Sequence, residues 1–143
     1  MRRCYFDYVA TNPLHPQVFE AMLPYFTQYF GNPSSIHGFG REAREAVDIA
    51  RVTVGEILHA REDEIIFTAG GTESNNLAIK GIAYLNKEKR TMKGPHIVTS
   101  VIEHPAVLEV CRHLETQGFK VKYLPVDDKG LIDVQTLRTS ISK

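Results

Sequence analysis

The sequence predicts an α/β fold built on parallel strands. Two observations carry that expectation: apolar strand-like runs alternate with helical stretches three times between residues 64 and 140, and the middle runs are short and apolar, as buried parallel strands are. The 143 residues suffice for one domain or part of a larger one. With 43% apolar and 24% charged residues the composition is globular rather than disordered. Apolar runs stay short, as in Ile65-Ile66-Phe67, and none approaches the ~20 residues of a transmembrane helix. The opening Met1-Arg2-Arg3-Cys4-Tyr5-Phe6-Asp7 has no apolar core, so no signal peptide is expected. Seventeen basic and seventeen acidic residues cancel, and no basic run supports nucleic-acid binding. Cys4 and Cys111 share no motif and suit a reducing cytoplasm.

Residues 1–13 read as an arm, in which Cys4-Tyr5-Phe6 has strand character and Asn12-Pro13 marks a turn. Residues 15–30 read as a helix on Val18, Met22, Tyr25 and Tyr29, with Pro16 tolerated in its first turn and a kink expected at Pro24. Residues 31–38 are loop chemistry. The clearest helix spans about 41–59, with Ala43, Ala46, Val47, Ala50, Val54, Ile57 and Leu58 on one face. Glu64-Ile65-Ile66-Phe67-Thr68 reads as a strand ended by Gly70-Gly71, and a helix follows from Ser74 to about Lys89 on Leu77, Ile79, Ile82, Ala83 and Leu85. Lys87-Glu88-Lys89-Arg90 reads as a solvated helix end. Residues 96–100 are a strand and 105–116 a helix, with Val107, Leu108, Cys111 and Leu114 inward and Gly118 as C-cap. Residues 120–126 are a strand, 127–130 a turn, and 134–140 a helix capped by Asp133. Three such strands would leave open apolar edges. The chain therefore reads as the opening part of a larger α/β domain, or else as a small unit that covers its edges in an oligomer.

The strongest chemical feature is Phe67-Thr68-Ala69-Gly70-Gly71-Thr72-Glu73-Ser74-Asn75-Asn76. Its glycines permit a sharp turn and a close ligand approach, and the following helix aims unpaired N–H groups and its positive end at the same place. That suits a phosphate, with Thr72 adding a hydroxyl. An ordinary strand-to-helix turn with Thr72 as N-cap is equally compatible. Neither GxGxxG nor a Walker A motif is present. The second feature is Ser100-Val101-Ile102-Glu103-His104-Pro105, which opens on the same sheet edge. His104 is either a structural loop histidine or a group that stacks on a planar ring and moves a proton. The third, Asn32-Pro33-Ser34-Ser35-Ile36-His37, offers amide, hydroxyl and imidazole groups, or is simply a loop. His15, His59, His96 and His113 lack metal-ligand spacing and receive no role.

In this order and spacing, these stretches, together with Tyr5-Phe6-Asp7-Tyr8-Val9-Ala10-Thr11-Asn12-Pro13 and Thr99-Ser100-Val101-Ile102-Glu103-His104-Pro105-Ala106-Val107, resemble the amino-terminal part of the cysteine desulfurases. That family lies in the class V aminotransferase branch of fold-type I pyridoxal-phosphate enzymes. The resemblance covers the whole chain but under half of a typical member. It implies part of a three-layer α/β/α large domain, residues 14–143, behind the arm of residues 1–13. It implies pyridoxal 5'-phosphate as cofactor, its phosphate held at Gly71 and Thr72 and its ring stacked on His104, which also assists proton transfer. The implied reaction takes sulfur from L-cysteine, giving L-alanine and an enzyme persulfide for iron–sulfur cluster or thio-cofactor assembly. A homodimer, sulfur-acceptor or iron–sulfur scaffold partners and a cytoplasmic setting follow from the same resemblance, with no nucleic acid, membrane or metal. Asn12 stands where the family arm has a second threonine, and Val9 is slightly unusual. No lysine here has the Ser/His-rich context of the Schiff-base lysine, and neither cysteine resembles the sulfur acceptor. The aspartate that pairs with the pyridine nitrogen also has no match. The chain alone is therefore expected to be inactive. A selenocysteine lyase or another class V enzyme, a non-catalytic partner subunit and a generic phosphate-binding module are the competing readings.

Overall fold

The computed structural model describes residues 3–88 and 96–141, and the chain divides into two compact units, Met1–Ile66 and Phe67–Lys143. In the first unit, helix α1 (Pro16–Thr27) begins at Pro16, where the missing N–H has no partner to lose. It runs on through Pro24, whose carbonyl accepts the N–H of both Gln28 (2.7 Å) and Tyr29 (2.9 Å) as the helix ends, short of residue 30. Helix α2 (Gly38–Leu58) starts three residues earlier than its apolar periodicity indicates, because His37 caps it: Nδ1 accepts the N–H of Gly40 at 3.3 Å. The loop lies so close to this first turn that a Cβ on Gly40 would sit 2.1 Å from the Ser35 carbonyl oxygen. On the α2 face expected to be buried, Ala43 is buried and Ala46, Val47 and Val54 are half-buried. Ala50, Ile57 and Leu58 are exposed.

Two expected strands are not strands. Around Cys4-Tyr5-Phe6 the arm is irregular and turns at residues 8–10; the Tyr5 hydroxyl donates to the carbonyls of Asp7 (3.0 Å) and Thr11 (3.2 Å), and the Ala10 N–H returns to Asp7 (3.1 Å). Local bonds thus take the place of a ladder. Glu64 closes a single 3₁₀ turn (Glu62–Glu64), and residues 65–68 join no sheet among the described residues. The Ile65 carbonyl accepts instead from the Arg51 guanidinium at 3.4 Å. A strand-like composition makes a strand only where another strand supplies the ladder.

The second unit has the expected α/β order. Helix α3 (Gly71–Glu88) is followed by β1 (His96–Ser100), α4 (Pro105–Thr116), β2 (Lys120–Leu124) and α5 (Val134–Ser140). Strands β1 and β2 pair in parallel, His96 opposite Lys120 through Ser100 opposite Leu124. The sheet has two strands rather than the expected three among the described residues. Strand β2 stops two residues short of Val126, which forms an antiparallel bridge to Ile132. Ala83 of α3, Val110 and Leu114 of α4, and Phe119 form the core, with Ile79 and Ile97 packed against it. On the expected inward face of α4, Cys111 and Leu114 are buried and Val107 and Leu108 half-buried, while Leu77, Ile82 and Leu85 of α3 are exposed. Gly118 takes φ +84°; the N–H of Phe119 bonds Leu114 O (3.1 Å) and that of Gly118 bonds Glu115 O (3.0 Å), closing α4 in a Schellman motif. Lys87 is not merely solvated: its Nζ lies 5.0 Å from the Phe119 ring centre and donates to the Gln117 carbonyl at 3.1 Å. Lys89 and Arg90 lie outside the described residues. Among the described residues no helix is long and apolar enough to cross a membrane.

Candidate functional site

Two loops of the second unit lead into helix N-termini. The first enters α3. Gly71 is already the first helical residue, so Thr72 stands in the first turn rather than at the N-cap. The Ser74 N–H bonds back to Gly70 O at 3.1 Å, and the N–H groups ahead of it have no partner within the helix. A Cβ on Gly70 or Gly71 would meet nothing within 4 Å, so the turn is open to a ligand. Around it, the Ala69 N–H donates to a Glu73 carboxylate oxygen at 2.6 Å. The Thr68 and Ser74 hydroxyls are 2.6 Å apart, and the Asn76 amide donates to Thr72 O at 2.9 Å.

The second loop follows β1 into α4. His104 is its N-cap: Nδ1 accepts the Ala106 N–H at 3.0 Å, and its carbonyl accepts Val107 (2.8 Å) and Leu108 (3.2 Å). Pro105 follows, a residue suited to the first helical position. Because Nδ1 accepts, the neutral ring carries its proton on Nε2, and the cap fixes the ring. Just upstream, Ser100 is buried and its hydroxyl reaches Glu103 at 3.4 Å.

Thr72 and His104 meet on the wall of one cleft of about 470 Å³. Thr72, Asn76 and Lys80, four residues apart on α3, line one side; His104, Pro105, Ala106, Glu109, Val110 and His113 line the other. Gly71 contributes no wall but precedes Thr72 at the helix start. Lys80, Glu109 and His113 were not singled out by motif; Lys80 follows Thr72 and Asn76 on α3, and Glu109 and His113 follow Pro105 on α4, in steps of four that put each set on one helix face. His113, given no role from sequence, lies in the same cleft. Among the described residues no cluster of His, Cys, Asp or Glu is placed to hold a metal ion. Cys111 is buried in α4, and burial first, then Glu115 and Glu103, push its thiol up, as befits an inert core thiol.

The loop of residues 32–37 belongs to the first unit. Asn32 Oδ1 accepts the Ser34 N–H (2.9 Å), and Arg41 donates to Ile36 O (2.8 Å). A larger cleft of about 950 Å³ runs between this loop and α2. Of its charged lining residues, Asp48 pairs with Arg44 at 2.8 Å and also takes Arg51 at 2.9 Å, and Arg41 is bonded to the loop carbonyl.

The family described as Aminotransferase class-V matches residues 4–143. The chain is 52% identical over 142 residues to "Cysteine desulfurase IscS" of Dictyoglomus turgidum, covering 99% of this chain and 35% of that protein. It is 55% identical over 139 residues to the protein of the same name from Rickettsia felis, covering 96% and 33%. The chain thus spans about a third of the length of the curated relatives it matches. Among solved structures, one titled "NIFS-LIKE PROTEIN" superposes with a TM-score of 0.88 at 39% identity, covering 99% of this chain and 38% of that one. Another, "SspA in complex with cysteine", gives 0.83 at 43% identity, covering 96% and 39%. The fold is accordingly the N-terminal part of the α/β fold those structures share.

Proposed function

The chain belongs to the class V aminotransferases, and from that premise we propose that it is the N-terminal portion of a cysteine desulfurase, which removes sulfur from L-cysteine to leave L-alanine and an enzyme persulfide. The observation that carries this reading is that Thr72, in the first turn of α3, and His104, the N-cap of α4, line one cleft between those helices. The relatives named cysteine desulfurase support it. In this reading residues 1–13 are an arm and residues 14–143 the first part of the cofactor-binding large domain. The complete enzyme is a cytoplasmic homodimer that hands sulfur to an acceptor or iron–sulfur scaffold protein.

The cofactor is pyridoxal 5'-phosphate, and the residues present fit it: an open glycine turn at a helix start for the phosphate, and a fixed imidazole for the ring. Gly71 and the first-turn N–H groups would cradle the phosphate, with the Thr72 hydroxyl as a further donor, and the His104 ring would face the pyridine. With Nδ1 committed to the Ala106 N–H, any proton His104 moves passes through Nε2. When bound, the cofactor supplies the electron sink of the reaction. The Schiff-base lysine and the sulfur-accepting cysteine match nothing in residues 1–143, and these residues alone are inactive in this reading.

The test is to purify the intact product of the gene and follow alanine released from L-cysteine. Release with a protein-bound persulfide supports the reading; alanine from L-selenocysteine alone, or from neither, overturns it. In the same protein, Thr72→Ala should weaken phosphate-bearing cofactor binding about tenfold, the scale of one hydrogen bond to a charged group. His104→Ala should lower kcat by about 10²–10⁴, the range of a lost general acid–base group.

A further inference from the structure

The glycine turn that the cofactor reading relies on is not held by packing. Residues 69–74 are exposed, and the space beside Gly70 and Gly71 is empty to 4 Å. Two consecutive glycines are the most mobile backbone a chain can offer, so a fixed anion cradle needs some other restraint. The structure supplies two clasps across the turn. The Glu73 carboxylate takes the Ala69 N–H at 2.6 Å. The Thr68 and Ser74 hydroxyls meet at 2.6 Å, and both lie near the Gly70 carbonyl, at 3.3 Å and 3.2 Å. One clasp ties the residue before the glycines to the residue after Thr72; the other closes just outside it.

We propose that Thr68, Glu73 and Ser74 are positioning residues that clasp the turn of residues 70–72 in its phosphate-receiving shape. The inference rests on the cofactor reading above. Glu73 is the informative member, because a lone carboxylate in the first turn of α3 would otherwise repel the phosphate. Tied to Ala69, it acts as a hydrogen-bond acceptor, a role that glutamine can also fill.

The test uses the intact product of the gene, freed of cofactor, with pyridoxine 5'-phosphate and pyridoxine, which lack the aldehyde that reacts with lysines. Glu73→Ala should speed hydrogen exchange at the Ala69 amide about tenfold and weaken pyridoxine 5'-phosphate about tenfold, leaving pyridoxine unchanged. Glu73→Gln should restore both, and Ser74→Ala or Thr68→Val should weaken the phosphate form to a smaller degree. Selective loss of the phosphate form, with rescue by glutamine, separates positioning from a general loss of fold. Unaltered Ala69 exchange in Glu73→Ala, or tighter phosphate binding there, overturns the clasp. If the unmutated chain and Thr72→Ala both bind the two ligands alike, the cofactor reading fails and the positioning role falls with it. In that case the Ala69 exchange would still show whether the bond exists.

Discussion

The two cysteines show how local surroundings set reactivity. Cys111 is 1% exposed, and burial, then Glu115 and Glu103, hold its thiol above the ordinary value, whereas Cys4 is exposed in the arm. The thiolate is the reactive species, so iodoacetamide at about pH 7.5 should label Cys4 and spare Cys111 in peptide maps of the native chain. Comparable labelling of the two would show that the α4 core opens readily. Asp133 responds to pH in a different way. Its carboxylate accepts the Thr136 hydroxyl (2.7 Å), the Thr136 N–H (2.7 Å) and the Gln135 N–H (3.4 Å), and the Thr136 hydroxyl is the leading reason its pKa is lowered. A folded pKa below the unfolded one means that the cap's contribution is complete above the unfolded value and fades as pH falls through the folded one. Helix α5 should therefore fray on the acid side of about pH 4, the ordinary aspartate range, seen as loss of Thr136 amide protection. Asp133→Asn keeps an acceptor without the titration and should abolish that pH dependence; fraying that persists unchanged in the variant would assign it to another group.

At the scale of elements, the sharpest constraint is the end of α4. Gly118 sits at φ +84° with nothing within 4 Å of a Cβ, so a side chain there is strained by backbone conformation alone. Gly118→Ala should cost about 1–2 kcal/mol in urea unfolding, and Gly118→Asn less, because asparagine tolerates the left-handed region. An alanine variant of equal stability would mean that α4 can end another way. This stop was legible in the sequence, as were Asp133 at the start of α5, β1 at residues 96–100 and α4 at residues 105–116. The helix ends are settled by a residue and its near neighbours, and β1 is a strand because β2 supplies its ladder. The failures are the strands expected at Cys4-Tyr5-Phe6 and at residues 64–68, whose existence depends on a distant partner that composition does not encode. The candidate site divides in the same way. Thr72, Asn76 and His104 lay in stretches that stood out by motif, whereas Lys80, Glu109 and His113 join them because α3 and α4 lie side by side. The Glu73 tie to Ala69 was equally hidden, since glutamate in a first turn reads as ordinary helix chemistry.

For the whole molecule, the question is whether 143 residues bury enough to stand alone. The core is small: Ala83, Val110, Leu114 and Phe119 in one cluster, with Cys111 and Leu124 also buried. The sheet has two strands among the described residues, and a two-stranded sheet is marginal without further cover. Large apolar side chains stay in solvent, including Phe6 at 93%, Ile36 at 91% and Val9 at 102% exposure, with Ile66, Ile82, Ile102 and Leu131 each near 60%. Surface of that kind binds apolar partners or drives association. The isolated 16.1 kDa chain should therefore bind the dye ANS without denaturant, and its sedimentation should shift to larger species as concentration rises. A concentration-independent monomer with a steep urea transition and no dye binding would show that the apolar side chains are too dispersed to act as a patch. Leu114→Ala sharpens the test. Leu114 is fully buried in the cluster with Ala83, Val110 and Phe119, so the truncation should cost about 2–5 kcal/mol. Against so small a core, that loss should remove the cooperative transition of the second unit altogether. If the variant still unfolds cooperatively, the unit has a reserve of stability larger than its buried side chains imply.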